Sequence, residues 1–253
     1  MLLALDAGNT NVTIGVFEDR RLLTSWRLRT DRDQTADEWG IKLRQLFSLA
    51  DLRLDGVRGM IIASVVPPVD APLAEMCRRY FGVDPLFVSA DAELGVGIDI
   101  DHPREAGADR LANAAAAAEL HGVPCVVVDF GTAINFDVVS RDRNFVGGII
   151  CPGIGMAAGG LYQKTARLPL VDFRRPRSLI GRNTIDCLQS GLYFSVLGAV
   201  DSILERLVQE LGDDTKIVAT GGQASLVGSK RFTALDSDLT LKGLELIWSW
   251  NRN

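Results

Sequence analysis

Two stretches of the chain share one pattern of apolar and polar positions. The apolar run Leu2-Leu3-Ala4-Leu5 ends in the polar turn Asp6-Ala7-Gly8-Asn9-Thr10, and apolar residues resume in Val12-Thr13-Ile14-Gly15-Val16-Phe17. Likewise, Cys125-Val126-Val127-Val128 ends in Asp129-Phe130-Gly131-Thr132 and resumes in Ile134-Asn135-Phe136-Asp137-Val138-Val139. Apolar, β-branched runs on both sides of an Asp/Gly/Thr turn predict a strand, a tight turn and a return strand. The tip of such a hairpin suits phosphate. Glycine lets the backbone approach closely, N–H groups and hydroxyls donate, and the carboxylate can hold a cation between phosphate oxygens. Two copies suggest a duplicated domain that grips a polyphosphate from both sides.

The remaining pattern is that of an α/β protein. The first hairpin strands continue to about Trp26-Arg27-Leu28. Thr35, with Glu38 three residues on, has capping-box spacing, and Trp39, Leu43, Leu46 and Phe47 give an apolar face to a helix from about Thr35 to Ala50. Met60-Ile61-Ile62-Ala63-Ser64-Val65-Val66 reads as a buried strand stopped by Pro67-Pro68, with a helix from about Pro72 to Phe81 and a short strand Pro85-Leu86-Phe87-Val88 after it. Leu111 to Leu120 is an alanine-rich helix ended by Gly122-Val123-Pro124. The order then repeats: strands from Cys125 to about Ile150, a helix through Met156 to Lys164, a long helix from Thr184 to Leu211, and the strand Lys216-Ile217-Val218-Ala219. A final helical stretch lies near Leu239 to Trp248. The expected architecture is two α/β domains, 1–121 and 122–253, each with a mixed sheet flanked by helices.

Composition narrows the partners. Of 253 residues 47% are apolar and 23% charged, which is enough for a substantial core. The net charge of −5 argues against nucleic acid or an acidic membrane as the main partner. No apolar run reaches the roughly 18–20 residues of a membrane span. Asp6 ends the first apolar run and no basic segment precedes it, so no signal peptide is expected. Cys77, Cys125, Cys151 and Cys187 are far apart, and His102 and His121, beside helix ends, read as surface residues. This argues against a zinc site and for buried thiols in a reducing compartment, with the cytoplasm as default.

Several segments carry candidate chemistry. With ATP as ligand, Asp6 is placed to hold Mg²⁺ through water, while Asn9, Thr10, Asn11 and Thr13 donate to phosphates. Thr220-Gly221-Gly222-Gln223 follows a strand and suits a ribose or phosphate, or is an ordinary strand-to-helix turn. Gly107-Ala108-Asp109-Arg110 opens the alanine helix. It is either helix punctuation or a base beside an anion clamp, the pair that phosphoryl transfer to an alcohol needs. Gly153-x-Gly155-x-x-x-Gly159 has the look of a dinucleotide loop, but Arg167-Leu168-Pro169-Leu170 is a poor second strand for one. Arg174-Arg175-Pro176-Arg177 reads as a solvated loop, with anion binding as the lesser alternative.

In order and spacing these motifs resemble the type III pantothenate kinases. The resemblance runs through Asp6-Ala7-Gly8-Asn9-Thr10-Asn11, Pro103-Arg104-Glu105-Ala106-Gly107-Ala108-Asp109-Arg110 with Asn113, and Asp129-Phe130-Gly131-Thr132-Ala133. It continues in Val146-Gly147-Gly148, Thr165-Ala166-Arg167-Leu168-Pro169, Gly181-Arg182-Asn183-Thr184, Thr220-Gly221-Gly222-Gln223 and Asp238-Leu239-Thr240-Leu241-Lys242-Gly243. It implies a duplicated actin-like, ribonuclease H-like fold, usually a homodimer, that transfers the γ-phosphoryl of ATP to pantothenate in the first step toward coenzyme A. It also implies Mg²⁺ and a monovalent cation, K⁺ or NH₄⁺. Carried across, Asp109 is the general base, and Ile100, Gly107, Ala108, Asp109, Arg110 and Thr184 form the pantothenate site. The segment Asp6-Ala7-Gly8-Asn9-Thr10-Asn11-Val12-Thr13, with Thr132, Gly221 and Gly222, binds ATP. Asp6 faces Mg²⁺ and Asp129 holds the monovalent cation. Two departures from the family's pattern stand out: Ile100 replaces a common Tyr and cannot donate a hydrogen bond, and Ala133-Ile134-Asn135 stands where the second phosphate turn often has Ala-Thr-Thr, of which Asn135 can still donate. Other readings are a non-catalytic regulatory accessory protein on the same scaffold, or a superfamily kinase with another small-molecule acceptor.

Overall fold

Alternating and continuous apolar runs build a five-stranded sheet in the first part of the chain. β1 (Leu2–Ala7), β2 (Asn11–Glu18) and β3 (Arg21–Arg29) form an antiparallel meander. Thr35 then caps α1 (Ala36–Leu49) by the predicted capping box: Thr35 Oγ1 accepts from the Glu38 N–H at 3.3 Å, and Glu38 Oε2 accepts from the Thr35 N–H at 2.8 Å. β4 (Gly59–Ser64) runs parallel to β1, and α2 (Pro67–Met76) leads to β5 (Leu86–Phe87), giving the order β3-β2-β1-β4-β5. The helix expected from Pro72 thus begins five residues earlier, at the prolines themselves. The first helical turn needs no N–H donors, so Pro67-Pro68 stops the strand and opens the helix at once. Leu3, Leu5, Ile14, Trp39, Leu43, Phe47, Met60 and Ile62 are fully buried between the sheet and these helices.

The computed structural model describes residues 1–164 and 168–252. After the two-residue strand β6 (Gly97–Ile98), α3 (Ala108–Leu120) starts three residues earlier than its alanine run, so that Asp109 and Arg110 lie in its first turn. The second part then repeats the first. β7 (Cys125–Phe130), β8 (Ala133–Val139) and β9 (Asn144–Pro152) form a meander. α4 (Ile154–Lys164) and α5 (Thr184–Leu211) precede β10 (Lys216–Thr220), which is parallel to β7. The short α6 (Ala224–Val227) and β11 (Ala234–Leu235) follow. The order β11-β10-β7-β8-β9 matches β5-β4-β1-β2-β3 strand for strand. Even the irregularity recurs: pairing shifts register at Val16/Phe17 in the first meander and at Val138/Val139 in the second. A bulge at the same place in both copies is the mark of a duplicated unit.

The division of the chain differs from the 1–121 and 122–253 expectation. One unit comprises residues 1–119 together with the segment from Leu239 onward, and the other residues 120–238. The last helix, α7 (Leu239–Trp250), packs on β1, β2 and β4. Its seat is made by small residues: a methyl group on Gly59 would overlap the Trp248 ring, and one on Gly243 would overlap the Ala112 carbonyl of α3. Gly243→Ala is therefore expected to destabilise by about 2–3 kcal/mol, because the obstructing atoms are helix backbone rather than a movable side chain. Urea unfolding of the variant measures it, and an unchanged midpoint would contradict this packing.

Two further expectations need correction. Cys77 and Cys125 are buried, and burial pushes both thiols up to about 12, but Cys151 is half-buried and Cys187 exposed. All four are free. His102 is exposed as expected, but His121 is half-buried, with its Nε2 shielded from solvent. α5, 28 residues long, is the one helix among the described residues with a window long and apolar enough to cross a membrane. Its apolarity has a local cause. Leu192, Tyr193, Val196, Val200 and Leu204 are buried in the second unit, while Ile185 and Phe194 on other faces are exposed.

Candidate active site

The two polar turns emerge at equivalent corners of the two sheets. In the first, the Gly8 N–H donates to Asn11 O at 3.0 Å, closing the turn between β1 and β2. Residues leaving β3 hold its outer side: Thr30 Oγ1 donates to Gly8 O at 2.6 Å, and the Thr30 N–H donates to Thr10 O at 3.0 Å. Asn9 and Thr10 are exposed at the tip, while Asp6 is half-buried, opposite Thr13 in β2 and Ala63 in β4.

The same end of this sheet receives the first turn of α3. The Val65 N–H, just past β4, donates to Ala7 O at 3.1 Å. Gly107 lies between Val65 and Asp109: a β-carbon there would stand 3.5 Å from Val65 Cγ1 and 2.6 Å from Asp109 Oδ1. Asp109 is thereby brought to the β1 end that carries Asp6. Its Oδ1 accepts from the Arg110 N–H at 2.8 Å. Burial raises the Asp109 carboxyl above its ordinary range, and the Arg110 N–H and guanidinium offset only part of that effect. One turn on, Asn113 is fully buried and its Oδ1 accepts from Thr240 Oγ1 at 2.7 Å, which fastens α3 to α7. Ile100 is half-buried just beyond β6.

In the second unit Asp129 holds the position of Asp6. It lies opposite Asn135 in β8, as Asp6 lies opposite Thr13, and opposite Thr220 in β10. The turn is tighter, closed by the Gly131 N–H donating to Ala133 O at 3.0 Å, and Thr132 is exposed on it. Two distant glycines press against this turn. A methyl group on Gly153 would overlap the Thr132 carbonyl, and one on Gly221 would stand 2.5 Å from Asp129 Oδ1 and 2.7 Å from the Phe130 backbone. Gly221 has φ +91, a backbone state that glycine adopts without strain. Gly153 belongs to the candidate site by this contact, which its sequence motif does not reveal. Its glycine-rich segment looks like a dinucleotide loop, whereas in the fold Gly153 is the β9–α4 connection laid on the Gly131–Ala133 turn, and Gly155 and Gly159 lie within α4.

Thr184 opens α5 behind Asn183, whose Oδ1 accepts from the Asp186 N–H at 2.9 Å. Thr184 is exposed and lines an apolar cavity of about 480 Å³ with Leu161, Leu168, Cys187 and Leu192. Arg174, Arg175 and Arg177 are exposed, as a solvated loop requires. Thr165, Ala166 and Arg167 of the quoted motif lie outside the described residues. Among the described residues no group of three or more His, Cys, Asp or Glu side chains converges.

A family model described as type III pantothenate kinase matches residues 2–206. A type III pantothenate kinase of Solibacter usitatus (strain Ellin6076) is 54% identical over 253 residues, covering 99% of this chain and 97% of that protein. Among solved structures, a protein of Campylobacter jejuni described as a Baf family transcriptional activator aligns over 98% of both chains with a TM-score of 0.60 at 19% identity. One of Sinorhizobium meliloti described as a 2-dehydro-3-deoxygalactonokinase aligns over 100% of this chain and 98% of that one, with a TM-score of 0.58 at 17% identity. These two show the duplicated actin-like fold alone. With more than half its residues shared across almost the full length of a relative, the chain belongs to the type III pantothenate kinase family.

Proposed function

We propose that the protein phosphorylates pantothenate with ATP to give 4′-phosphopantothenate, the first step toward coenzyme A. The observation that carries this reading is Asp109, a half-buried carboxylate of raised basicity at the sheet end that bears the Gly8–Asn11 turn. A general base is most effective when its pKa is drawn toward the working pH, and burial does that here. Asp109 accepts the proton of the acceptor's primary hydroxyl, and that oxygen attacks the γ-phosphorus as the bond to the β,γ-bridging oxygen breaks and ADP leaves. The Arg110 guanidinium pairs with the acceptor carboxylate. Gly107 and Ala108 let the acceptor lie close to the backbone. Thr184 supplies a hydroxyl, and Ile100 an apolar wall.

The segment Asp6 to Thr13, with Thr132, Gly221 and Gly222, binds ATP. Mg²⁺, when bound, neutralises charge on the phosphates. Asp6 fits it, because Mg²⁺ commonly takes one or two protein carboxylates and keeps waters and phosphate oxygens as its other ligands. Asp129 offers the oxygen donor that K⁺ or NH₄⁺ takes. The protein acts in the cytoplasm as a homodimer. Supporting the dimer, most of the large exposed apolar side chains fall between Val146 and Phe194, including Ile150, Met156, Leu179 and Ile180. Ile180→Asp is expected to convert a dimer to a monomer by sedimentation velocity. A monomeric wild-type protein would refute this part.

The deciding measurement is ADP release with and without pantothenate, repeated without potassium and with other alcohols and acids as acceptors. Pantothenate-dependent turnover that falls without K⁺ or NH₄⁺ is the expected result. No turnover with pantothenate would favour a regulatory protein, and turnover with another acceptor alone would reassign the substrate.

A further inference from the structure

The connection from β3 to α1 is held at nearly every residue. Thr30 makes two hydrogen bonds to the Gly8–Thr10 turn, at 2.6 and 3.0 Å. Asp31 Oδ1 accepts from the Asp33 N–H at 3.1 Å, and buried Gln34 accepts from Lys42 Nζ at 2.6 Å. Thr35 then closes the capping box on Glu38. Between these anchors Arg32 is exposed. Its Nη2 donates to Asn9 Oδ1, at the tip of the turn, at 3.3 Å, and among the described residues no carboxylate lies within 4 Å of its guanidinium.

From this geometry we infer that Arg32 is a further phosphate-binding residue, one that also orients Asn9. The inference rests on the reading of the Asp6–Thr13 segment as an ATP site. By occupying the Asn9 carbonyl oxygen, Arg32 leaves the Asn9 amide N–H groups to point away from it, as donors to a ligand. A guanidinium has five N–H donors, and one contact to Asn9 leaves others for phosphate oxygens. Both stapled ends fix the backbone from which Arg32 projects, so little order remains to be lost on binding. The ligand class is the polyphosphate of a nucleoside di- or triphosphate, not its base or sugar.

The test compares wild-type protein with Arg32→Ala and Arg32→Lys, using KM for ATP and the inhibition constants of ADP and AMP. Arg32→Ala is expected to raise KM for ATP roughly tenfold to a hundredfold, the scale of one or two charge-assisted hydrogen bonds. The effect should shrink from ATP to ADP to AMP, leave KM for pantothenate unchanged, and be partly restored by Arg32→Lys. Unfolding midpoints should not move, since Arg32 is exposed. An ATP affinity equal to wild type would overturn the inference while leaving the turn's role intact. An equal loss for ATP and AMP would also overturn it, because that pattern reports a collapsed turn. Wild-type protein that does not bind ATP would remove the ATP-site reading itself, and the inference with it.

Discussion

Asp109→Asn is expected to lower turnover by about 10²–10⁴, or roughly 3–5 kcal/mol of barrier, with KM for ATP unchanged and a melting midpoint equal to wild type or higher. The two halves of this result have one cause. The Asp109 carboxyl is buried enough that its ionised form is disfavoured, so its folded pKa lies above the unfolded value of 3.8. For a carboxyl shifted upward, the fold is most favoured below the unfolded pKa, and that contribution is lost as pH rises through the folded pKa. At neutral pH the ionised group therefore burdens the fold, and asparagine removes the burden while its Oδ1 can still accept from the Arg110 N–H. The upward shift also fixes the direction of the pH profile. Turnover should fall on acidification at a pH above the ordinary carboxylate range, because only the ionised form accepts the hydroxyl proton. Full activity in Asp109→Asn, or an acid limb at or below that range, would remove Asp109 from the chemistry.

The second large effect is expected from Gly221→Ala, which lies far from the acceptor in sequence. Its methyl group would stand 2.5 Å from Asp129 Oδ1 and 2.7 Å from the Phe130 backbone, on a residue with φ +91. Phe130 ends a buried strand, so the carboxylate must give way rather than the main chain. The strained φ costs about 1–2 kcal/mol, and the overlap about 1–3 kcal/mol more. Displacing Asp129 should reduce turnover at least ~100-fold and blunt the response to potassium. Circular dichroism at the assay temperature separates this local displacement from unfolding. A folded Gly221→Ala protein that keeps its potassium dependence would show that Asp129 does not serve the cation.

What the sequence reveals here depends on the range of the physics. Both hairpins, the Thr35–Glu38 capping box and α5 were legible because apolar runs, turn residues and capping spacings act over a few positions. The start of α2 is not legible in the pattern, because Pro67-Pro68 stops a strand and opens a helix with the same chemistry. The α7 placement was invisible, since the contacts of Gly59 with Trp248 and of Gly243 with Ala112 join positions more than a hundred residues apart. The site divides the same way. The candidates Asp6, Asp109 and Asp129 stand out by local motif, whereas Gly153, Thr30 and Arg32 become candidates only through the turns that they touch across the fold.

The return of α7 to the first unit bears on the order in which the protein is made. The second unit, residues 120–238, leaves the ribosome ahead of the helix that covers β1, β2 and β4. Until then the apolar faces of Leu241, Leu244 and Ile247 are missing from the first sheet, whose strands emerged earliest. The half of the enzyme that is synthesised first is thus the last to be completed, and its nascent sheet is the surface that needs protection from aggregation during synthesis.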